Sequence, residues 1–170
     1  MKKAFLLMLI VLVASAGFAQ QQKARTSADY VKELIALSGA DRADKNVIVA
    51  DRSDGNYVFV PLYKGDKVIG YGTWAQGIKI YNHKEDLIAV INPDGTLQNF
   101  LPIDANERHP EMRDLKWRSK FFGMKYDRDF IHKADVSTGS TFSSIMFVAE
   151  LKTMLFAFNE YVVKTGKLKK

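Results

Sequence analysis

A short stretch rich in glycine and hydroxyl-bearing residues, 135–144, holds the side chains of this chain that are best suited to chemistry. It reads Asp-Val-Ser-Thr-Gly-Ser-Thr-Phe-Ser-Ser and overlaps an apolar segment, 142–163, that reads as a helix. The unpaired N–H groups and the dipole at a helix start favour a phosphate. Gly139 allows a tight turn or a close approach to a ligand. The alternative is a plain helix cap, in which Thr141 is the N-cap and nothing is bound.

The order of these residues resembles the flavin-attachment motif of the FMN-binding domain family, Asp-x-x-Ser/Thr-Gly-Ala-Thr followed by an apolar residue and Ser/Thr pairs. Flavin-carrying components of the sodium-translocating NADH:quinone reductase and of the Rnf complex belong to that family. The matching residues are Asp135, Thr138, Gly139 and Thr141, and Ser140 stands where Ala is usual. The resemblance implies that the Thr141 hydroxyl forms a phosphodiester with FMN.

Two glycines in a predicted strand extend the resemblance. Gly70, Tyr71 and Gly72 look like the family's Gly-aromatic-Gly strand, and residues 91–97 look like its Asp-Gly hairpin. A glycine inside a strand weakens it and often marks a bulge or a place where a ligand comes close. We therefore expect Gly70 and Gly72 to approach the flavin or to form a bulge beside it.

The loop after this hairpin, 106–113, departs from the family pattern. Relatives have His or Asn, then Glu-Thr-Pro, then glycines, whereas here Glu107 and Pro110 match only with an offset and no Gly follows. This departure leaves two alternatives open. One is a secreted binding or assembly module of the same fold that has lost the flavin, and the other is noncovalent FMN binding.

Other chemistries have less support in the sequence. His83, His109 and His132 lack the spacing that is typical of zinc ligands. The serines of 137–144 lack a Gly-x-Ser-x-Gly elbow and a His placed to act as base. Several aromatic side chains can each stack on an isoalloxazine ring or simply belong to the core. They are Tyr71, Trp74, Tyr81 and Trp117.

The predicted helices and strands indicate an α+β fold. It consists of an antiparallel sheet meander flanked by helices and is similar to the FMN-binding domain. A capping-box-like start at Thr26 predicts an amphipathic helix over 27–38, with Gly39 as its C-cap. Apolar alternation between turn residues predicts six strands. These cover 47–50, 57–62, 68–75, 78–82, 87–92 and 96–101.

Two further elements connect this meander to the motif. A helix is predicted over 112–122, with Leu115, Phe121 and Phe122 on its apolar side. A short strand is predicted over 129–134 and leads into residue 135.

The N-terminus predicts export. Residues 1–19 have a basic start, an apolar middle and a small-residue end, as in a cleavable signal peptide. Residues 20–26 then form a disordered linker, 27–163 the single domain, and 164–170 a solvated, frayed basic tail. The expected location is the periplasm or another extracytoplasmic compartment. The alternative is an uncleaved anchor, although the apolar stretch is short for a membrane span.

Composition narrows the redox chemistry. The chain has no cysteine, which excludes disulfides, iron–sulfur clusters and covalent haem, so an organic cofactor is the natural electron carrier. The formal net charge is +6, and four lysines lie in the tail, so the body is nearly balanced. No nucleic-acid footprint is evident. The tail lysines allow weak attraction to an anionic membrane.

Together these features predict an exported flavoprotein that carries one FMN and relays electrons between membrane-associated redox proteins. Such a relay is not an enzyme with its own substrate. The resemblance implies a separate flavin transferase that uses FAD and Mg²⁺ and recognises a sequence including Asp135. The sequence does not indicate the oligomeric state.

Overall fold

An antiparallel sheet forms the middle layer of an α+β fold. The structure, a computed structural model, describes residues 25–50, 56–103, 110–126 and 141–168. Six strands are found in these residues: β1 (Arg42–Ala43), β2 (Ile48–Ala50), β3 (Tyr57–Lys64), β4 (Lys67–Ile80), β5 (His83–Ile91) and β6 (Leu97–Pro102). Strands β3 to β6 lie side by side in chain order, and β1 and β2 both pair with the outer edge of β3. The predicted meander is therefore confirmed.

The first helix, α1 (Ser27–Ser38), has the bounds that the sequence predicts. The Thr26 hydroxyl accepts the backbone N–H of Asp29, and the Asp29 carboxylate accepts the backbone N–H of Thr26 at 2.8 Å, which completes a capping box. Gly39 ends the helix with φ of 69°, a left-handed conformation in which glycine meets no Cβ clash. Leu34 lies on the buried side of the helix, against the sheet.

The two faces of the sheet carry separate apolar cores. Helix α1 covers one face, where the buried side chains are Tyr30, Leu34, Leu62, Ile88, Val90 and Ile103. The long helix α3 (Thr141–Phe158) covers the other face with a larger core, which includes Phe59, Tyr71, Phe100, Phe147, Leu151 and Phe158. Since side chains alternate along a strand, Tyr71 faces α3 whereas its neighbours Gly70 and Gly72 face α1.

Strand β4 is continuous where the sequence predicts two strands, 68–75 and 78–82. Its pairing with β5 shifts register between Ala75 and Ile78, and Gly77 there has φ of 65°. This is a β-bulge, which adds residues to one strand without ending it. The prediction of two strands was wrong because an interruption of the apolar alternation can reflect a bulge as well as a turn.

A polar cluster joins this bulge to α1. Asp86 accepts the backbone N–H of Gly77 at 2.8 Å and the hydroxyl of Tyr30 at 2.5 Å. The Tyr30 ring stacks on Trp74 with centroids 5.4 Å apart. Burial, and then the hydrogen bond to Asp86, raises the pKa of Tyr30 to about 12, because a phenolate here would be desolvated beside a carboxylate.

The raised pKa of Tyr30 predicts a loss of stability in alkali. The contribution is fully present below the unfolded pKa of 10.0 and is lost as the pH rises through the folded value of about 12. It amounts to roughly 3 kcal/mol, since the two pKa values differ by about two units and each unit corresponds to about 1.4 kcal/mol. Urea unfolding of wild type between about pH 9 and pH 11.5 should show the free energy of unfolding decline. The decline should be steeper in wild type than in a Tyr30→Phe variant. Equal slopes in both proteins would contradict the assignment.

The segment after β6 is not the single helix predicted over 112–122. It consists of a 3₁₀ turn (Pro110–Arg113), one turn of helix α2 (Leu115–Arg118) and a second 3₁₀ turn (Ser119–Phe121). Asp114 breaks the helix because it has extended backbone and caps the N–H of Lys116.

The apolar side predicted for this segment is corrected as well. Leu115 is 58% exposed and Phe122 is half-buried, whereas Trp117 and Phe121 are buried together against Phe100. The break at residue 114 rotates the face that meets the sheet, so a pattern assuming one regular helix was right for Phe121, wrong for Leu115, and missed Trp117.

Helix α3 is confirmed over most of the predicted range 142–163, and its last turn, Asn159–Val163, is π-helical. The Asn159 side-chain amide donates to the carbonyl oxygen of Leu155 at 2.8 Å and to that of Gly95 at 3.1 Å. Gly95 belongs to the predicted turn between β5 and β6, where it donates to the carbonyl oxygen of Asn92. The end of α3 is thereby fastened to that turn.

The range 142–163 is long and apolar enough to cross a membrane by length and composition alone. Many of its apolar side chains instead pack in the core of this protein. Those that are fully buried against the sheet include Phe147, Leu151, Leu155 and Phe158. Core packing accounts for its composition.

Residues at both ends of the predicted domain contact its folded part. Arg25 lies 3.5 Å from Asp86, so the predicted disordered linker 20–26 reaches ordered structure at its end. Lys164 pairs with Glu160 at 2.6 Å, and Leu168 packs on the main core. Residues 164–167 are exposed, as expected for a solvated tail, and Leu168 is half-buried.

Candidate functional site

The predicted acceptor, Thr141, is the first residue of helix α3. The first N–H groups of a helix have no partner within the helix itself, and the positive end of the helix dipole lies there. The motif residues before it, Asp135, Thr138, Gly139 and Ser140, lie outside the described residues, as do the predicted strand 129–134 and the signal peptide 1–19.

The two other hydroxyls of the first helical turn are enclosed. Ser143 is 1% exposed and Ser144 is fully buried. The Ser144 hydroxyl lies 3.8 Å from the sulfur of Met112, which is itself buried in the main core. A modifying enzyme could reach either serine only after α3 separates from the sheet. Burial therefore excludes them as rivals to Thr141 in the folded protein.

The residue after the acceptor belongs to an exposed aromatic pair. Phe142 is 41% exposed, and its ring centroid lies 4.6 Å from that of Tyr81, which is 67% exposed. Tyr81 occupies the turn between β4 and β5 with φ of 52°, a left-handed conformation that costs a non-glycine residue about 1–2 kcal/mol. The pair brings the tip of this hairpin to the start of α3.

The four aromatic residues that were candidates for stacking on a flavin differ in their exposure to solvent. Tyr71 is fully buried and packs against Phe158, and Trp117 is only 6% exposed. Trp74 is half-buried and stacks on Tyr30, on the α1 face. Tyr81 alone of the four is exposed and lies beside α3, so it is the member of this set that a ring attached near Thr141 can contact.

The two strand glycines lie on the face opposite to α3. A Cβ atom on Gly72 would stand 2.7 Å from Leu34 Cδ1, and one on Gly70 would stand 2.7 Å from Gln98 Oε1. Both glycines therefore make room for side chains of this protein. The pairing of β3 with β4 shifts register where Leu62 faces Gly70 and Tyr63 faces Val68, so a bulge lies beside Gly70, and a second bulge lies farther along β4, at Gly77. The bulge expected at these glycines is therefore present beside Gly70, whereas their approach to a flavin stays a prediction.

Replacing Gly72 by alanine should destabilise the fold by crowding Leu34. We expect a loss of about 1–3 kcal/mol in the free energy of unfolding, as for other overpacked cores. Urea unfolding of Gly72→Ala, Leu34→Ala and the double variant tests this. The double variant should lose less than the sum of the two single losses, because the added methyl group enters the space that Leu34 leaves. Strict additivity would contradict the contact.

A contact between His83 and the buried Glu85 follows the β4–β5 turn and is not evident from sequence spacing. His83 Nε2 lies 2.8 Å from Glu85 Oε1, and Glu85 is 1% exposed. Within the described parts of the chain, Glu85 Oε2 has no hydrogen-bond partner. The signal was the alternation of β5, which places Glu85 on the same face as the buried Leu87 and Ala89.

A metal site has no support in the parts of the chain that are described. These residues contain no group of three or more His, Cys, Asp or Glu side chains that could hold a metal ion. His109 and His132 lie outside the described residues, as does Glu107 in the loop that departs from the family pattern.

Comparisons of the chain with protein-family models, with curated proteins and with solved structures give no match. The motif at 135–144 and the geometry at the start of α3 are therefore the observations that bear on function.

Proposed function

We propose that this protein is an exported flavoprotein that carries FMN through a phosphodiester on Thr141 and passes electrons between membrane-associated redox partners. The observation that carries the proposal is the position of Thr141. The residue that matches the acceptor of the flavin-attachment motif is also the first residue of a long helix, and the next two hydroxyls are buried.

The start of α3 suits the phosphate of FMN. Its first N–H groups have no partners within the helix, and the dipole favours an anion there by about 0.3–1 kcal/mol before hydrogen bonds are counted. The local electrostatics therefore favour a phosphodiester at Thr141.

Attachment requires a second protein. The Thr141 hydroxyl oxygen would attack the phosphorus of the FMN half of FAD, the P–O bond to the AMP half would break, and AMP would leave with the bonding electron pair. The hydroxyl proton would pass to a base of the flavin transferase. The protein gains the mass of FMN less water, and no oxidant or reductant is consumed. When bound, FMN supplies one- and two-electron transfer, which the protein tunes by its surroundings.

A flavin-free binding or assembly module remains the alternative function. The departure of loop 106–113 from the family pattern favours it. The described part of that loop, Pro110–Arg113, places Met112 in the main core and lets Arg113 donate to the carbonyl oxygens of Pro102 and Ile103. Those contacts are structural, so this part of the loop has a use that does not need a flavin.

The test is intact-mass spectrometry of protein exported with and without an active flavin transferase. We expect a gain of one FMN less water only when the transferase is present, together with in-gel flavin fluorescence. A yellow protein that releases its flavin on denaturation would indicate noncovalent binding. A colourless, unmodified protein beside an active transferase would favour the binding module.

A further inference from the structure

We propose that Tyr81 and Phe142 form the platform on which the isoalloxazine ring of the attached flavin rests. This inference depends on the proposed function, since it assigns the ring of an FMN that Thr141 would carry. It adds a binding surface made of a hairpin turn and a helix, which no motif in the sequence indicates.

The first support is reach. Phe142 follows Thr141 in the same helical turn, and consecutive helical residues are separated by a rise of about 1.5 Å. An FMN held by its phosphate at Thr141 has a flexible ribityl chain between phosphate and ring. Since each helical residue is also rotated by about 100° from the one before it, the flexible ribityl chain has to turn through this angle to bring the ring beside Phe142.

The second support is the surface of the pair. The two rings are 4.6 Å apart and inclined by 40°, so they contact each other and still expose 67% of Tyr81 and 41% of Phe142. Aromatic surface exposed to water is unfavourable, and the gain on covering it grows with the area covered. A flat aromatic ligand would cover this surface and gain stacking contacts as well.

The third support is the backbone at Tyr81. With φ of 52°, this position suits Gly or Asn in a hairpin turn, yet the chain has a tyrosine there. The Tyr81 side chain does not enter the core. Its ring contacts Phe142, the residue that follows Thr141. Strained residues of this kind are concentrated at ligand sites, and the contact with Phe142 gives the strain a specific use.

The remaining exposed aromatic residue of α3 supplies a matched control. Phe156 is 37% exposed, close to the value for Phe142, and it packs edge-on against Tyr126 at 5.3 Å. It lies near the other end of the helix from Thr141. The substitutions Phe142→Leu and Phe156→Leu therefore remove the same ring from the same helix, and only the first touches the platform.

The experiment measures flavin loading by intact mass and the fluorescence yield of the attached flavin. The proteins are wild type, Tyr81→Leu, Phe142→Leu and Phe156→Leu, each exported with the transferase. A tyrosine stacked on isoalloxazine quenches its emission by giving an electron to the excited ring, whereas phenylalanine is a poor electron donor. We therefore expect normal mass in both platform variants, a several-fold rise in emission for Tyr81→Leu, and a smaller rise for Phe142→Leu, where the ring loses part of its contact with Tyr81. Phe156→Leu should match wild type in both measurements.

Two results would overturn the inference, and only one of them would also overturn the proposed function. Full loading with unchanged emission in both platform variants would exclude the platform and leave the proposed function intact. Wild-type protein without FMN beside an active transferase would overturn the proposed function and the platform with it. Tyr81→Asn checks folding independently, since it should relieve the backbone strain and raise the unfolding midpoint while emission still increases.

Discussion

Thr141→Ala should abolish covalent flavin attachment completely, whereas Ser144→Ala should be modified as fully as wild type. The first substitution removes the only hydroxyl that matches the acceptor position of the motif. The second removes a hydroxyl that is buried against Met112 and is closed to a modifying enzyme in the folded protein. Intact mass and in-gel fluorescence after export with a flavin transferase give the result directly.

Asp135→Ala separates recognition by the transferase from the acceptor chemistry. This variant should fold and be poorly modified, since the resemblance places Asp135 in the sequence that the transferase recognises. Unfolding curves of all variants confirm that loss of flavin is not loss of fold. Modification of Thr141→Ala, or failure of Ser144→Ala to be modified while folded, would show that the acceptor is a different hydroxyl.

Among the Gly→Ala substitutions proposed for this protein, Gly95→Ala should destabilise the fold most. A Cβ atom at this position would stand 2.2 Å from Asn159 Oδ1, and Gly95 has φ of 84°. Relief of the clash would pull the buried Asn159 amide away from the carbonyl oxygens of Leu155 and Gly95. Each buried group left without a partner costs about 1–3 kcal/mol, and left-handed strain adds about 1–2 kcal/mol.

We therefore expect Gly95→Ala to lower the free energy of unfolding by more than about 3 kcal/mol, measured by urea unfolding. Gly65→Ala is the control, because Gly65 also has a positive φ of 57° but a Cβ there would meet no atom within 4 Å. That variant should lose only about 1 kcal/mol, from strain alone. Equal losses in the two variants would mean that the contact with Asn159 contributes nothing.

Local chemistry explains which elements the sequence predicts well. Helix α1 is correct to the residue because its two ends depend on short-range groups, the Thr26–Asp29 capping box and the left-handed Gly39. The β5–β6 turn is correct for the same reason, since Asp94 accepts the N–H and the hydroxyl of Thr96. Those hydrogen bonds lower the pKa of Asp94, with the Thr96 hydroxyl as the largest cause. Such signals lie within a few residues and need no knowledge of the rest of the fold.

Predictions failed where distant residues determine the local conformation. The β4 bulge is held by Asp86 from the next strand, and the broken segment 110–121 is held by Arg118, whose guanidinium donates to Asn99 Oδ1 and the carbonyl oxygen of Phe100. Burial, and then the charge of Arg113, lowers the pKa of that guanidinium. Propensity within the segment could not reveal these partners, because they lie on other elements.

For the site, the sequence by itself determined the candidate acceptor, the phosphate-favouring helix start and the absence of any cysteine-based redox group. Only the tertiary structure decided which nearby groups can take part. It buries Ser143 and Ser144, places Gly70 and Gly72 under α1, and brings Tyr81 to Phe142 from a hairpin much earlier in the chain. The physical reason is that hydroxyl type and helix polarity are local properties, whereas exposure and contact depend on which face of the sheet each element covers.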